Sequence, residues 1–414
     1  MPVHPLPADP ARDAARPPEG SNGTVRTALL TNFVAPYRVK LLQSLRDQIG
    51  QLRIFVSTRM EPDRLWQPDW GDLDVVVQKS VMLRWRRRRS SKVIQQLFIH
   101  VPYDTLLRLS AYRPDVVISG EMGARSLQAA LYRRSNPRCR LIIWATLSEH
   151  TERDWGPARR ALRRFILRST DAVLVNGQSG ARYIRSLEPD LPIQIVNQPV
   201  ETALFSRAPL ERSSAEERRL IFSGRLIAQK GVFELQEGVA EWARAHPERE
   251  VELVWAGTGE DHAALEAAPM PGNVRQRFTG HLDYAELAQL YATCGALILP
   301  TMWDEWGLVV NEAMASGLPV LGSVYSQAVE EMVEEGRTGW IFDPLRPGSL
   351  NGALTRFLDT PPDRLAEMRR RARERGTAIS VAGATKQIAS VVRGVGSGRP
   401  RSVTEPVSER RRAG

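Results

Sequence analysis

Short apolar runs separated by longer amphipathic segments form the main pattern of hydrophobic and polar positions along this chain. In the first half the runs occupy residues 25–32, 52–57, 115–119, 141–144 and 171–176, and in the second half residues 220–224, 251–259, 295–299 and 318–322. Runs of this length, bounded by polar or glycine-containing turns, predict buried strands, and the segments between them predict helices. Strands that alternate with helices indicate parallel sheets of the α/β class.

Residues 300–320, PTMWDEWGLVVNEAMASGLPV, carry the most informative pattern. A polar and aromatic loop at 301–306 precedes a predicted helix at 308–316 that is apolar on nearly all sides. Gly317 then follows, as is typical of a helix C-terminus. The unit of strand, loop, buried helix and strand is half of a parallel α/β sheet.

One carboxylate, Glu312, lies inside this apolar helix, where a charge is costly unless it is paired or hydrogen bonded. Helical side chains lean toward the helix N-terminus, so Glu312 is expected to point at the free amides of residues 307–309, where the helix dipole is positive. Asp304 lies eight residues earlier, in the loop at the same mouth. A carboxylate beside an anion site suits a ligand with both phosphates and hydroxyls. The alternative is that Glu312 caps a loop and Asp304 is a solvated turn residue.

The stretch resembles the glutamate-x7-glutamate motif of retaining glycosyltransferases with the GT-B fold, in the large family 4 (glycosyl transferases group 1) that includes sucrose and mannosyl transferases. Asp304 stands at the first acidic position and Glu312 at the second. The first acid is usually Glu, so either Asp304 or the adjacent Glu305 is expected to face the transferred sugar as a catalytic residue. The resemblance implies that Glu312 binds the ribose hydroxyls of a nucleotide-diphosphate sugar.

A second motif occupies residues 220–231, LIFSGRLIAQKG. The predicted strand ends in a glycine-flanked loop with Arg225 and Lys230, and two cations at a strand's carboxyl end suit a diphosphate. The loop matches the family's GRL-x3-KG motif, in which the Arg and Lys hold the nucleotide diphosphate, and the alternative is a surface loop. Residues 251–259 resemble the family's apolar segment with a G-x-G turn. The resemblance implies a donor site that comprises Gly224, Arg225, Lys230, Gly257, Trp306, Gly307, Leu308, Val309 and Glu312.

Polar residues after the strands of the first half predict the acceptor side of the site. Asn32 and Arg38 flank the loop NFVAPYR after the first strand, and such a loop commonly lines the ligand crevice of a doubly wound sheet. Glu121 follows the strand at 115–119 in the same way. Asn32 and Arg38 are therefore candidates to touch an acceptor phosphate or the donor, although Arg38 as a simple loop cap is an alternative.

His150 lies six residues beyond the strand at 141–144. Relatives often have a His near this point, against the sugar that is transferred, so His150 is a third candidate catalytic residue. Thr146, Ser148 and Glu149 compete with it for that role. A structural role for the imidazole is the alternative.

Basic residues are clustered, and the formal net charge of +10 favours an anionic partner. The strongest run spans residues 84–92, RWRRRRSSK, and precedes a predicted apolar helix at 93–99. Arg binds lipid phosphates and Trp prefers the membrane interface, so the run predicts an anionic-membrane patch; a solvated basic loop is the alternative. The patch consists of Arg84, Trp85, Arg86, Arg87, Arg88 and Arg89. Residues 159–168 predict either a core helix with a cationic face or a second membrane contact.

Composition limits other classes of function. No nucleic-acid fold signature accompanies the basic runs, so no nucleic-acid partner is expected. Cys139 and Cys294 provide neither metal spacing nor a disulfide framework, which indicates a reducing compartment and no metal site. No run of 18 apolar residues occurs. Residues 1–24, which lack an apolar signal core, and residues 394–414 are expected to be disordered tails.

The expected fold is α/β with the GT-B architecture, in which two doubly wound Rossmann-like domains face a central cleft. Residues 25–205 are predicted to bind the acceptor and residues 206–375 the nucleotide sugar, while a helix at 376–393 returns to the first domain.

The expected function is retaining transfer of a hexosyl or related sugar from a nucleotide-diphosphate sugar to a hydroxyl acceptor. By analogy the acceptor is a lipid-linked glycan of bacterial cell-surface polysaccharide synthesis. No cofactor or metal is expected, and the site of action is the cytoplasmic face of the cell membrane, bound peripherally. One alternative is a nucleotide-sugar epimerase on the same fold, a class that lacks the paired Arg–Lys loop and the acid-x7-acid motif. The other is a non-enzymatic basic scaffold that binds membrane or nucleic acid, against which an intact diphosphate site argues.

Overall fold

The computed structural model describes residues 25–61, 68–88, 94–153 and 155–397. The strands are β1 (Val25–Thr31), β2 (Gly50–Val56), β3 (Asp74–Val77), β4 (Ser80–Arg88), β5 (Ile94–Pro102), β6 (Val116–Gly120), β7 (Arg140–Ala145), β8 (Ala172–Val175), β9 (Ile193–Ile195), β10 (Arg219–Ser223), β11 (Val251–Ala256), β12 (Val274–Gly280), β13 (Ala296–Leu299), β14 (Val320–Ser323) and β15 (Gly339–Phe342).

The helices are α1 (Pro36–Ile49), α2 (Thr105–Tyr112), α3 (Ala124–Ser135), α4 (Glu149–Glu152), α5 (Pro157–Leu167), α6 (Gln178–Arg185), α7 (Thr202–Phe205), α8 (Ser214–Glu217), α9 (Val232–Ala245), α10 (His262–Ala267), α11 (Tyr284–Tyr291), α12 (Leu308–Ala315), α13 (Gln327–Met332), α14 (Ser349–Leu358), α15 (Pro362–Ala378) and α16 (Val381–Gly396). A single 3-10 turn at Ala228–Lys230 precedes α9. Each described helix is too short or too polar to cross a membrane.

Two parallel sheets form the framework, one in each half of the chain. The N-terminal sheet has the order β3-β2-β1-β6-β7-β8-β9 and the C-terminal sheet the order β12-β11-β10-β13-β14-β15. In each sheet the strand order reverses beside the first strand, between β1 and β6 and between β10 and β13. Ligands of doubly wound sheets bind at this switch point, outside the carboxyl ends of the strands. The predicted α/β class with two doubly wound domains is confirmed.

Helices cover both faces of the N-terminal sheet. On one face α1 packs with α16, and their buried side chains, such as Leu45 and Ile388, share a core with strand residues Ile54 and Ile118. On the other face α3, α5 and α6 contribute residues such as Ile166 to a second core. The last helix of the chain therefore completes the N-terminal domain.

The helix predicted at 376–393 is placed differently in detail. α15 continues to Ala378, and a break at Ile379–Ser380 separates it from α16, whose start is capped by the Ser380 hydroxyl through the Gly383 amide at 3.1 Å. The predicted single helix is thus wrong at its start, because the Ser380 cap begins a new helix. α16 also extends to Gly396, three residues into the segment predicted to be disordered. Residues 1–24 and 398–414 lie outside the described residues.

The apolar helix predicted at 93–99 is wrong. Described residues of this segment belong to β5, which pairs antiparallel with β4 from Ser80 opposite Pro102 to Arg88 opposite Ile94. The segment has β-branched residues at several positions, and its backbone hydrogen bonds go to the partner strand rather than along a helix. Of the predicted patch, Arg89 lies outside the described residues, and only the backbone is described for Arg86–Arg88.

The basic segment at 159–168 corresponds to α5. Arg163 is buried in an ion pair with Glu152 and its guanidinium also donates to the Tyr183 hydroxyl at 2.8 Å. Ile166 and Leu167 are fully buried. α5 is therefore a core helix with a cationic outer face, which is the first of the two predicted alternatives. Membrane contact by that face stays a prediction.

Candidate active site in the interdomain cleft

Glycine-lined loops bring the carboxyl ends of β10 and β11 into backbone contact. Gly257 has φ 142°, and a Cβ placed there would lie 1.9 Å from the carbonyl oxygen of Gly224. Only glycine fits such an approach, and few other residues adopt this φ. The loop after β10, which carries Arg225 and Lys230, is therefore held in a fixed position at the switch point.

Lys230 and Asp304 bring the cationic loop and the acidic motif together. The Lys230 Nζ lies 2.6 Å from the Asp304 Oδ2, and both side chains are largely buried. The Asp304 amide in turn donates to the Tyr325 carbonyl at 3.1 Å, which joins the acidic loop to the turn after β14. Arg225 belongs to the same loop as Lys230, and its side chain is exposed. Two motifs separated by 74 residues thus meet at one edge of the sheet.

The start of α12 lies next to the acidic loop. Gly307 precedes the helix with φ 110°, a left-handed conformation that reverses the chain direction before Leu308 and Val309. Both residues are half-buried, and their amides belong to the first turn, where a helix has no internal acceptors. The helix start is therefore available as an anion site, as predicted.

Trp306 does not line the cleft with its side chain. The indole is 2% exposed, packs in the core of the C-terminal domain and donates to the Asn311 Oδ1 at 2.8 Å. Its carbonyl accepts from the Ser326 hydroxyl at 2.6 Å. The buried, paired indole leaves only the backbone of Trp306 for a contact with the donor, and that contact stays a prediction.

Glu312 is buried on the inner side of α12. It is 4% exposed, and burial raises the pKa of its carboxyl to about 7. Within the described part of the chain, the amides of residues 307–309 make no hydrogen bond to this carboxylate, and the predicted orientation of Glu312 toward them stays a prediction. The adjacent helix positions, Ala313 and Met314, are fully buried and apolar. A carboxyl in this setting favours its neutral form until a ligand supplies hydrogen bonds.

Glu305 points across the cleft to the N-terminal domain. Its Oε2 accepts from the Thr146 hydroxyl at 3.4 Å, and its carbonyl accepts from the Asn176 and Gln327 side-chain amides. Although the residue is exposed as a whole, its carboxyl lies between the two domains, next to Thr146. The pKa of the Glu305 carboxyl is raised to about 8. Burial between the two domains is the largest cause, and repulsion by the nearby Glu121 and Asp304 carboxylates adds to it. Two adjacent acids of one loop therefore contact opposite sides of the cleft. Asp304 pairs with the cationic loop of the C-terminal domain, and Glu305 contacts the N-terminal domain.

The predicted acceptor-side residues form one polar cluster at the switch point of the N-terminal sheet. The Asn32 Nδ2 donates to the Glu121 Oε1 at 3.3 Å. Glu121 has φ 65°, an unusual conformation for a residue with a side chain and one that functional sites tend to contain. The guanidinium of Arg38 lies over the Trp144 ring, 5.1 Å from its centre, and its charge acts on the Glu305 carboxyl.

Arg125, which the sequence did not single out, supports this cluster. It is 5% exposed, donates to the Asn32 Oδ1 and to the Ser57 hydroxyl, and lies 3.8 Å from the Glu121 carboxylate. Burial lowers the pKa of its guanidinium. The i, i+4 spacing of Glu121 and Arg125 was the available sequence signal.

His150 lies on α4, beyond the strand end. Its ring packs edge-on against Tyr325, with the ring centres 5.1 Å apart. The Nδ1 atom is buried and makes no hydrogen bond within the described residues, and burial lowers the imidazole pKa. Among its competitors, Ser148 caps α4 and Thr146 contacts Glu305. His150 thus contacts Tyr325, and the Tyr325 carbonyl in turn accepts from the Asp304 amide of the acidic loop.

Further contacts close the two domains around the cleft. The Gln327 side chain donates to the Leu147 carbonyl at 2.8 Å and accepts from the Gly180 amide at 3.0 Å. The Asn311 Nδ2 donates to the Gln198 carbonyl at 3.1 Å. No group of three His, Cys, Asp or Glu side chains with metal-site geometry occurs in the described ranges. Lys230 and Arg38 supply positive charge to the site, and Arg225 belongs to the same loop as Lys230.

Residues 209–378 match the family model described as glycosyl transferases group 1. The chain is 30% identical over 215 residues to glycogen synthase of Mycobacterium tuberculosis, which covers 51% of this chain and 50% of that protein. It is 27% identical over 272 residues to alpha-D-kanosaminyltransferase of Streptomyces kanamyceticus, which covers 60% and 68%. The chain therefore spans about half the length of the first of these relatives.

The crystal structure of Anabaena Alr3699/HepE in complex with UDP is similar to this chain along nearly its whole length. The TM-score is 0.64 at 15% identity, over 89% of this chain and 99% of that one. At this identity the likeness shows the fold alone, with two Rossmann-like domains in the GT-B arrangement. Residues 209–378 thus match the glycosyl transferases group 1 model, and the chain has the GT-B fold.

Proposed function

We propose that this protein is a retaining glycosyltransferase of family 4 that moves a hexosyl or related sugar from a nucleotide-diphosphate sugar to a hydroxyl acceptor. The ion pair between Lys230 and Asp304, at 2.6 Å, is the observation that carries the proposal. It joins a loop suited to a diphosphate with a loop suited to a developing positive charge, at the switch point where doubly wound sheets bind ligands. The UDP bound by Anabaena HepE supports a nucleotide donor.

The donor diphosphate binds between the loop after β10 and the start of α12. Arg225 and Lys230 neutralise its oxygens, and the amides of Leu308 and Val309 donate to them. Glu312, one turn further into the helix, accepts hydrogen bonds from the ribose hydroxyls. Because these groups are fixed before the reaction, they stabilise the charge that accumulates on the diphosphate as it leaves.

Asp304 acts at the transferred sugar. The ring becomes positively charged as the bond to the diphosphate breaks, and a carboxylate close to it stabilises this charge mainly in the transition state. Lys230, held by Asp304, lies between the sugar and the phosphates and responds to both charges. In this proposal side-chain cations neutralise the diphosphate, so the reaction needs no metal ion.

The acceptor hydroxyl enters from the N-terminal wall of the cleft. Asn32, Glu121 and Arg38 line this wall, and Glu305 reaches it from the opposite domain. With a pKa of about 8, the Glu305 carboxyl is mainly neutral at pH 7 and can donate a hydrogen bond to an acceptor oxygen. By analogy with the family, the acceptor is a lipid-linked glycan of bacterial cell-surface polysaccharide synthesis. The enzyme then works on the cytoplasmic face of the membrane, attached peripherally.

Transfer in vitro tests the proposal. The purified chain is incubated with a panel of nucleotide sugars and polyprenyl-diphosphate glycans, with EDTA present, and the product anomer is assigned by NMR. The expected result is nucleoside diphosphate release and a product with the anomeric configuration of the donor. An inverted product contradicts retention, loss of activity in EDTA contradicts metal independence, and epimerised donor without transfer contradicts the reaction class.

A further inference from the structure

Strands β4 and β5 form a separate two-stranded sheet in the N-terminal half of the chain, and several of its apolar side chains are exposed. Val81 is 52% exposed, Leu83 53% and Trp85 58%, and Ile99 on the opposite strand is 37% exposed. Successive strand residues point to opposite faces, so Val81, Leu83 and Trp85 share one face, and Leu83 lies opposite Ile99. Exposed apolar side chains grouped in this way often mark a contact surface.

The apolar surface continues onto the start of α2. Tyr103, Leu106 and Leu107 are 66%, 42% and 72% exposed, and α2 packs on α3, which also contacts β5. Of the sixteen large hydrophobic side chains found exposed in the described residues, eight fall between residues 81 and 107. Such clustering marks a contact surface, because exposed hydrophobic residues are otherwise scattered. We call residues 79–88 and 94–107 the docking arm.

The docking arm is also strongly cationic. Residues 79–103 contain seven basic residues and no Asp or Glu; the basic residues are Lys79, Arg84, Arg86, Arg87, Arg88, Arg89 and Lys92. Trp85 therefore lies between Arg84 and Arg86 in sequence, whereas Val81 and Leu83 share its face of the hairpin. Apolar anchors beside a row of cations match a surface that is anionic outside and apolar beneath.

Polar contacts at the base of the docking arm join it to the acceptor side of the cleft. The Gln78 Nε2 donates to the Thr105 hydroxyl at 2.8 Å, and His100 is buried 3.5 Å from Glu61. The Pro102 carbonyl accepts from Gln128 of α3 at 2.7 Å. The first turn of α3 contains Arg125, which holds Asn32 and pairs with Glu121. A surface bound by the arm therefore has a fixed position relative to the acceptor wall.

We propose that the docking arm inserts Leu83 and Trp85 into the interfacial layer of an anionic lipid bilayer, with its basic residues on the lipid phosphates. This inference names the membrane surface to which the proposed transferase binds. It rests on the proposed function only for the reason why the protein would bind a membrane. Charge favours this occupant over a second copy of the chain, because the basic runs of two copies repel one another. The exposed face of α5 is a separate candidate for contact, with Arg160 and Arg164.

Vesicle flotation tests the inference with full-length chain. Vesicles of phosphatidylcholine with about one third phosphatidylglycerol are compared with pure phosphatidylcholine, and we expect binding at least about a hundredfold tighter to the anionic vesicles, since each interfacial cation contributes about fivefold. Leu83→Ser with Trp85→Ser is expected to weaken binding about tenfold or more through lost apolar burial. The matched control Leu345→Ser, 62% exposed on the other domain, is expected to bind normally.

Two further measurements identify the contact. Trp85 is expected to be quenched by brominated lipids, and the Trp85→Phe variant is expected to lose that part of the quenching. Arg160→Glu with Arg164→Glu is expected to retain most binding, whereas Arg84→Glu weakens it about twentyfold by two charge units. The melting shift produced by nucleoside diphosphates reports the donor site independently and is expected to be unchanged in all these variants.

Several outcomes overturn the inference. Equal binding to neutral and anionic vesicles does so, as does binding that survives the Leu83→Ser, Trp85→Ser double substitution or that depends on Arg160 and Arg164 instead. An arm-dependent dimer in sedimentation velocity, without vesicle binding, shows that a second copy covers the arm. If vesicles bind as expected but no donor nucleotide shifts the melting temperature, the proposed function fails while the docking surface stands.

Discussion

The Glu312 carboxyl is expected to release its proton when a nucleotide donor binds. It is 4% exposed, and burial raises its pKa to about 7, so it is close to half-protonated at neutral pH. In the proposed complex the ribose hydroxyls donate hydrogen bonds to this carboxylate. Hydrogen bonds to the charged form lower the pKa of a carboxyl, and the pKa therefore falls on binding.

The size of the release follows from the two pKa values. For a fall from about 7 to about 5, a moderate change for two good hydrogen bonds, the number of protons released is the difference between two titration curves. It is about 0.8 per donor near pH 6, about 0.5 at pH 7 and close to zero at pH 9. The release is thus greatest midway between the free and bound pKa values.

Calorimetry in buffers of different ionisation enthalpy measures this number directly. The ligand is the nucleoside diphosphate that gives the largest melting shift in a screen of bases. Glu312→Gln is the matched control, because burial already favours the neutral carboxyl and an amide of the same size fits the site. Subtracting the variant's proton count from that of the natural chain removes the titration of the ligand and of all other groups.

Identical proton counts for the natural chain and Glu312→Gln across pH 6 to 9 would refute the ribose assignment. Greater proton uptake by the natural chain than by Glu312→Gln would refute it as well, because the pKa of the Glu312 carboxyl would then rise on binding instead of falling. Glu312→Gln is also expected to raise KM for the donor with a smaller effect on kcat, since the ribose contact exists before and during the reaction.

Three other changes test neighbouring parts of the site. Asp304→Asn is expected to lower kcat at least tenfold with little change in KM, because it acts in the transition state; steady-state kinetics that instead show Glu305→Gln inactive and Asp304→Asn normal would move the motif by one residue. Burial, Glu121 and Asp304 raise the pKa of Glu305 to about 8, so between about pH 4.5 and 8 the folded state binds more protons and stability falls as pH rises. Glu305→Gln removes this loss of stability. The Tm of the variant minus the Tm of the natural chain should therefore increase by about 1 to 3 °C from pH 5 to pH 9; a difference that is constant with pH would contradict the raised pKa. Gly257→Ala places a Cβ 1.9 Å from the Gly224 carbonyl oxygen at φ 142°, and should lower stability by about 2 kcal/mol and abolish the donor-induced melting shift, whereas Gly272→Ala, with open space around its Cβ, should do neither.

The fold class and the paired motifs followed from the sequence because they depend on local patterns. Apolar runs of strand length predicted the parallel sheets, and the spacing of Arg225 and Lys230 beyond β10 predicted a cationic loop. The residues after parallel strands meet at one edge, so the approach of Lys230 to Asp304 also fits the pattern.

Other features depend on contacts between distant segments, which no local pattern carries. Asp304 and Glu305 are adjacent in sequence, yet one pairs with Lys230 and the other reaches Thr146 in the opposite domain. The apolar run at 93–99 predicted a helix, whereas its described residues form β5, because the pairing of this strand with β4 is not visible in a short apolar run. Trp306 lies beside the acids in sequence, which suggested a ligand contact. Its indole instead packs in the core and donates to the buried Asn311 Oδ1, a residue five positions later.

The affinity of the donor nucleotide for variants of the cationic loop tests the central claim most directly. Calorimetry compares the natural chain with Lys230→Ala, Arg225→Ala and the control Arg244→Ala, an exposed cation in the last turn of α9. Each loop substitution removes a charge-assisted hydrogen bond to phosphate worth about 1.5 to 3 kcal/mol, so the Kd should rise more than about tenfold. Lys230→Ala should rise most, since it also leaves the Asp304 carboxylate unpaired beside the phosphates. A Kd that is unchanged in both loop variants, and equal to that of Arg244→Ala, would contradict the assignment of this loop to the donor diphosphate.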